Sequence, residues 1–105
     1  MIVRIDTTDN KAITVSLVKG EKEIVKKQQL DTRKAQVVLP MLEQLLHERN
    51  VQLQDLTGIE VNPGPGSFTG IRVGITIANT LGFLLQIPVN GRNPGIPEEA
   101  VYSPH

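Results

Sequence analysis

Cysteine is absent from the 105 residues, which excludes a disulfide framework, a thiol nucleophile and every cysteine-based zinc or iron–sulfur site. Aromatic residues are nearly absent too. Phe68, Phe83 and Tyr102 are the only three, too scattered to build a stacking platform for single-stranded nucleic acid. Net charge is missing as well: eleven Lys and Arg balance eleven Asp and Glu, so the chain exerts no general attraction on phosphate backbones or anionic lipid. The two histidines, His47 and His105, stand far apart and form no His-x-x-x-His pair, which argues against a histidine-based metal site. Ser67 has no sequence-evident base, so a hydrolase triad is unsupported. The most apolar window, Ile71 to Leu85, is interrupted by Arg72, Asn79, two glycines and two threonines, and reads as short of a membrane span. No basic leader precedes an apolar stretch at Met-Ile-Val-Arg-Ile-Asp, so no signal peptide is expected. The length suits one soluble domain with a modest core and excludes a two-lobed enzyme. A reducing cytoplasm is the expected location.

Charge is unevenly placed although it sums to zero. Residues 19–34 hold six basic and three acidic side chains, while residues 50–105 hold two basic and four acidic. Because Glu21, Glu23 and Asp31 break up the positive run, it reads as a solvated hairpin and its exit.

Ile2, Val3 and Ile5 form a short β-rich run ending at Asp6, and Thr7-Thr8-Asp9-Asn10 has turn chemistry. Ile13, Val15 and Leu17 then alternate with smaller or polar residues, the period of a half-buried strand. Glu23 to Leu30 reads as a third, more polar strand of an antiparallel meander. Asp31-Thr32 can cap a helix whose apolar face is Ala35, Val38, Leu39, Leu42, Leu45 and Leu46, ending near Glu48 with Asn50 as its closing residue. Pro40 lies inside it and predicts a kink or a later start. Leu56 to Val61 reads as a fourth strand entering a Gly- and Pro-rich loop, Asn62-Pro63-Gly64-Pro65-Gly66-Ser67. Beyond the loop, Ile71, Val73, Ile75 and Ile77 alternate like a strand, while Phe68, Ile71, Ile75, Ala78, Leu81 and Leu85 fit a helix face. Some seventeen residues without a turn signal favour a helix from about Thr69 to Gln86. Pro88-Val89-Asn90 reads as a short last strand. The stretch from Asn93 onward, with three of the seven prolines, is expected to lack regular structure.

Three constellations invite chemistry. The loop before the second helix presents Gly64, Gly66, Ser67 and Thr69 where unpaired N–H groups and a positive dipole end could receive a phosphate. It is neither a Walker loop nor the dinucleotide fingerprint, since no lysine precedes the hydroxyl residue and Thr69 stands where a third glycine is needed; the residues favour a rigid turn whose glycines serve close packing. The turn Asp6-Thr7-Thr8 could hold a metal-bound phosphate, or be a turn only. Finally Gly66, Gly70, Gly74, Ala78 and Gly82 recur every four residues. On a helix they draw a ridge of minimal side chains that another helix or backbone can approach closely. Interior glycines cost about 1 kcal/mol each relative to alanine, so the ridge requires a compensating contact, from the first helix or from a partner.

Ile5-Asp6-Thr7-Thr8, Leu39-Pro40-Met41-Leu42 and Asn62-Pro63-Gly64-Pro65-Gly66-Ser67-Phe68-Thr69-Gly70-Ile71-Arg72-Val73-Gly74 together resemble the TsaB family, also called YeaZ. The resemblance implies one RNase H-like lobe of the actin-type ATPase architecture over residues 1–92, a five-stranded mixed sheet with two main helices, followed by an irregular tail over 93–105. It further implies a non-catalytic partner of TsaD in making threonylcarbamoyladenosine on transfer RNA, with TsaE a further partner, a homodimer when TsaD is absent, and tRNA reached only indirectly. TsaD holds its metal through a histidine pair on the first helix, where this chain has Arg33-Lys34-Ala35-Gln36-Val37-Val38. The family packs its first two helices against those of TsaD or of a second TsaB. On that basis Val38, Met41, Leu42, Leu45, Gly70, Ile71, Gly74, Ile75, Ala78 and Gly82 are the expected interface. ATP with magnesium remains an alternative ligand for Asp6, Thr7, Thr8 and the glycine loop, although family members usually carry a second lobe and nucleotide lies between the two.

Overall fold

A computed structural model describes residues 1–29 and 34–101, with side chains in the first helix from Gln36 onward. Alternation decides the sheet. In β1 (Ile2–Asp6) Val3 and Ile5 point to one side and are buried, and Arg4 points to the other. In β2 (Ala12–Lys19) Ile13, Val15 and Leu17 share the buried side with them. β3 (Lys22–Gln29) pairs antiparallel with β2, β2 pairs antiparallel with β1, and β4 (Gly58–Val61) pairs parallel with β1, giving the mixed order β3-β2-β1-β4. Two helices cover the apolar side: α1 (Lys34–Glu48) lies against β2, and α2 (Phe68–Leu85) lies against β4 and β1. The opposite side of the sheet faces outward, as a partly antiparallel sheet tolerates.

The expected helix caps Asp31 and Thr32 lie outside the described residues. Helix α1 runs on through Pro40 without interruption, and Asn50 reverses the chain just beyond it with a left-handed φ of 55°. A 3₁₀ turn at Leu53–Asp55 delays β4 to Gly58, two residues later than the apolar run suggests. After the loop the helical reading of the ambiguous segment holds: Ser67 caps α2 by accepting from the Gly70 N–H, and Gln86 closes it in the left-handed region.

Among the described residues the sheet has four strands where five were expected. Ile59 donates to the Pro88 carbonyl at 2.9 Å and accepts from the Asn90 N–H at 2.8 Å, so Val89 forms a single parallel bridge. Asn90 and Gly91, both at positive φ, then turn the chain away before a second bridge can form. The Asn90 side-chain amide replaces the missing strand residue: its Oδ1 accepts from the Val61 N–H at 2.8 Å and its Nδ2 donates to the Val61 carbonyl at 2.9 Å. Edge groups of β4 are thereby paired without a fifth strand.

The small-residue ridge on α2 faces inward. A Cβ at Gly74 would collide with the Thr7 hydroxyl, and one at Gly82 with the Val89 side chain, each closer than real carbon contacts allow. By length and composition α2 does meet the measure of a membrane-crossing helix, with 18 residues of mean hydropathy 1.4, contrary to the reading of that window from sequence. Its ridge nevertheless packs on β1 and β4, the setting of a core helix.

Candidate functional site

At the end of β1 the chain must turn, and the loop from β4 must reach α2; both events occur at one place. Asp6 Oδ1 accepts from the Thr8 N–H at 2.9 Å and the Thr8 hydroxyl at 2.7 Å, while Oδ2 accepts from Asn62 Nδ2 at 3.1 Å. Asn62 Oδ1 in turn accepts from the Gly64 N–H at 3.1 Å, and the Ser67 N–H donates to the Thr8 carbonyl at 2.6 Å. A Cβ on Gly66 would stand 2.6 Å from Thr8 Cβ. The structure therefore gathers Asp6, Thr8, Gly64, Gly66 and Ser67 of the expected phosphate set, with the Asp6 carboxylate, the Thr8 hydroxyl and the Asn62 amide bonded to each other. The glycines admit neighbouring chain.

Thr7 stands apart from the rest of that set. It is fully buried, and its hydroxyl donates to the Gly70 carbonyl in the first turn of α2, so it joins sheet to helix out of a ligand's reach. Thr69 is exposed on that same first turn. Thr7→Val keeps the shape and loses the bond; the expected cost is about 1 kcal/mol, a melting temperature lower by about 4–8 °C in a thermal scan without any ligand. A ligand-contacting role would leave that scan unchanged.

The expected interface residues lie inside the single chain. Val38, Met41, Leu42, Leu45, Ile71, Ile75 and Ala78 are at most 8% exposed, and Gly70, Gly74 and Gly82 are buried with them. They form the chain's own core because α1 and α2 turn their most regular apolar stripes toward the sheet. Phe68, Phe83 and Leu84 of α2 are exposed, and apart from them an apolar groove of about 500 Å³ lies between α1, the 3₁₀ turn and α2. Leu39, Leu53 and Leu81 line it above the buried Leu42, with Glu43 and His47 also on its wall. Leu39 and Leu53 are 47% and 43% exposed, an uneconomical placement for large apolar side chains unless something covers them. The 3₁₀ turn that brings Leu53 there has no periodicity to announce it, which is why sequence reasoning missed the residue.

On the other side of the sheet lies a smaller groove of about 330 Å³ whose lining includes Arg4, Asp6, Ser16, Glu60 and Asn90. Arg4 donates to Glu60 at 2.9 Å and to Glu23 at 3.0 Å, tying β1 to its neighbour β4 and, across β2, to β3. These pairs are exposed and contribute little to stability.

A mixed sheet of this order, two helices on one side and a glycine loop leading into the second, defines an RNase H-like lobe of the actin type. The sequence model of TsaD, tRNA N6-adenosine threonylcarbamoyltransferase, matches residues 24–93. The tRNA threonylcarbamoyladenosine biosynthesis protein TsaB of Bacillus subtilis is 44% identical over 52 residues, half of this chain and 23% of that protein. TsaB of Haemophilus influenzae is 32% identical over 90 residues, 84% of this chain and 37% of that protein. The solved structure of YeaZ from Pseudomonas aeruginosa superposes with a TM-score of 0.79 at 34% identity, over 84% of this chain and 41% of that one. The chain belongs to the TsaD family and, within it, to the TsaB (YeaZ) proteins. It spans about two fifths or less of the length of these relatives.

Proposed function

We propose that this chain serves threonylcarbamoyladenosine formation on tRNA as a non-catalytic, cytoplasmic subunit that docks on a TsaD-type enzyme through the α1–α2 groove. The observation that carries the reading is the row of Leu39 and Leu53, each nearly half exposed, with the partly buried Leu81, beside a core that already consumes the glycine ridge. An apolar patch rimmed by Glu43 and His47 fits the helices of a protein partner. Self-pairing through the same groove follows when the enzyme is absent, and tRNA is reached only through the partner. Co-purification with the TsaD-type enzyme tests this: a stoichiometric complex is the expected result, and separate elution of both chains at micromolar concentration rejects it.

The second reading, a nucleotide- or phosphate-binding half-domain, has less support. Asp6, Thr8, Asn62 and Ser67 spend their bonds on one another, and Thr7 is buried. Titration calorimetry with millimolar ATP and magnesium is expected to give no binding heat. A saturable heat lost in Asp6→Asn would reinstate the nucleotide.

A further inference from the structure

Residues 93–101 form neither helix nor strand, and seven of the nine are exposed, so apolar burial does little to hold them. Ala100 packs against the core. The family match ends at residue 93, and the segment beyond it is nevertheless fastened at two separate places. The first is Glu98. Its backbone N–H donates to Asn79 Oδ1 at 2.9 Å and its carbonyl accepts from Asn79 Nδ2 at 3.0 Å, a two-way clasp on the flank of α2. Its carboxylate, 11% exposed, accepts from Asn90 Nδ2 at 2.8 Å and from the Glu99 N–H at 2.9 Å, and pairs with Arg92 at 3.1 Å. The Asn90 hydrogen bond, ahead of the Glu99 and Arg92 contacts, holds this carboxyl below the usual glutamate range against the opposing effect of burial. The second fastening is Val101, whose N–H donates to the Pro63 carbonyl at 2.7 Å. Its own carbonyl lies where a Cβ on Gly64 would stand, at a φ of +112° that suits only glycine.

We propose that residues 97–101 are a displaceable strap over the β4–α2 loop, latched by Glu98. Three features argue for a latch. Pro97, Glu99 and Val101 are exposed and the segment is held by the named hydrogen bonds with little apolar burial, which sets local opening well below global unfolding. The Glu98 carboxylate bonds to the same Asn90 amide that closes the β4 edge, so strap and edge share one junction. Asn79 and Leu81, two positions apart on a helix, face nearly opposite flanks, so the strap opens without disturbing the proposed partner groove. The fold thereby has a covered and an uncovered form of one loop, the region where the turn after β1, the exit of β4 and the start of α2 meet.

Amide hydrogen exchange followed by NMR on the full chain tests this. In the parent the Glu98 and Val101 amides should exchange at least about tenfold more slowly than in an unstructured peptide. In both Glu98→Ala and Asn79→Ala the protection of Val101 should vanish although its own acceptor, Pro63, is untouched, while Ile5 and Val15 in the sheet keep theirs. An unprotected Val101 in the parent removes the strap; protection that survives both substitutions removes the latch.

Discussion

Gly74→Leu is expected to yield no folded chain, and Gly74→Ala to fold with stability lowered by about 3 kcal/mol. The Cβ of any residue here meets the Thr7 hydroxyl, with Val61 Cγ2 at 3.4 Å on the other side. Moving Thr7 aside breaks its bond to the Gly70 carbonyl in a fully buried place. Alanine recovers about 1 kcal/mol of helix propensity, which is less than overpacking and a stranded hydroxyl together cost. For a domain of this size the melting temperature should fall by about 12–24 °C, readable by circular dichroism. A Gly74→Ala melt within about 2 °C of the parent contradicts the inward ridge. Because larger residues at Gly74 unfold the chain, their failure to bind a partner says nothing about where a partner sits.

Leu39→Glu with Leu53→Glu is the substitution that does speak to the partner. Both side chains stand nearly half exposed in the groove, so charge there costs the free chain little, within about 0.5 kcal/mol per site. In a complex the same carboxylates would be buried without a counter-charge at the centre of an apolar contact. Losing two central anchors should weaken binding by at least about 30-fold, the equivalent of roughly 2 kcal/mol. Titration of the TsaD-type enzyme with parent and variant, alongside thermal melts of each, separates lost binding from lost fold. Unchanged affinity with an unchanged melt places the contact elsewhere.

Much of the architecture was legible in the residues because it is local. Ile13, Val15 and Leu17 could be placed by period alone, and Ser67 and Asn50 end elements by chemistry that acts within a few residues. Length decided for α2 what the alternation of Ile71, Val73, Ile75 and Ile77 left open. The direction of the glycine ridge was not legible. A four-residue spacing says that something approaches closely, but whether it is a partner or Thr7, sixty-odd positions away, depends on the turn of α2 against β1. The fifth strand failed for a related reason: Pro88 to Asn90 has strand chemistry, yet the Asn90 side chain competes for the bonds a longer ladder would use. Thr7 and Thr8 look alike in sequence, and only packing sends one into the core. Asn79, Asn90 and Glu98 carry no motif, and their juncture exists only in the folded chain.

The proposed docking face is most directly tested by methyl NMR of the chain titrated with the TsaD-type enzyme. The account predicts that the methyl signals of Leu39, Leu53 and Leu81 shift or broaden together, while Ile2 and Val25 on the outward side of the sheet stay in place. Perturbation of Ile2 and Val25 with those leucines unmoved would contradict it.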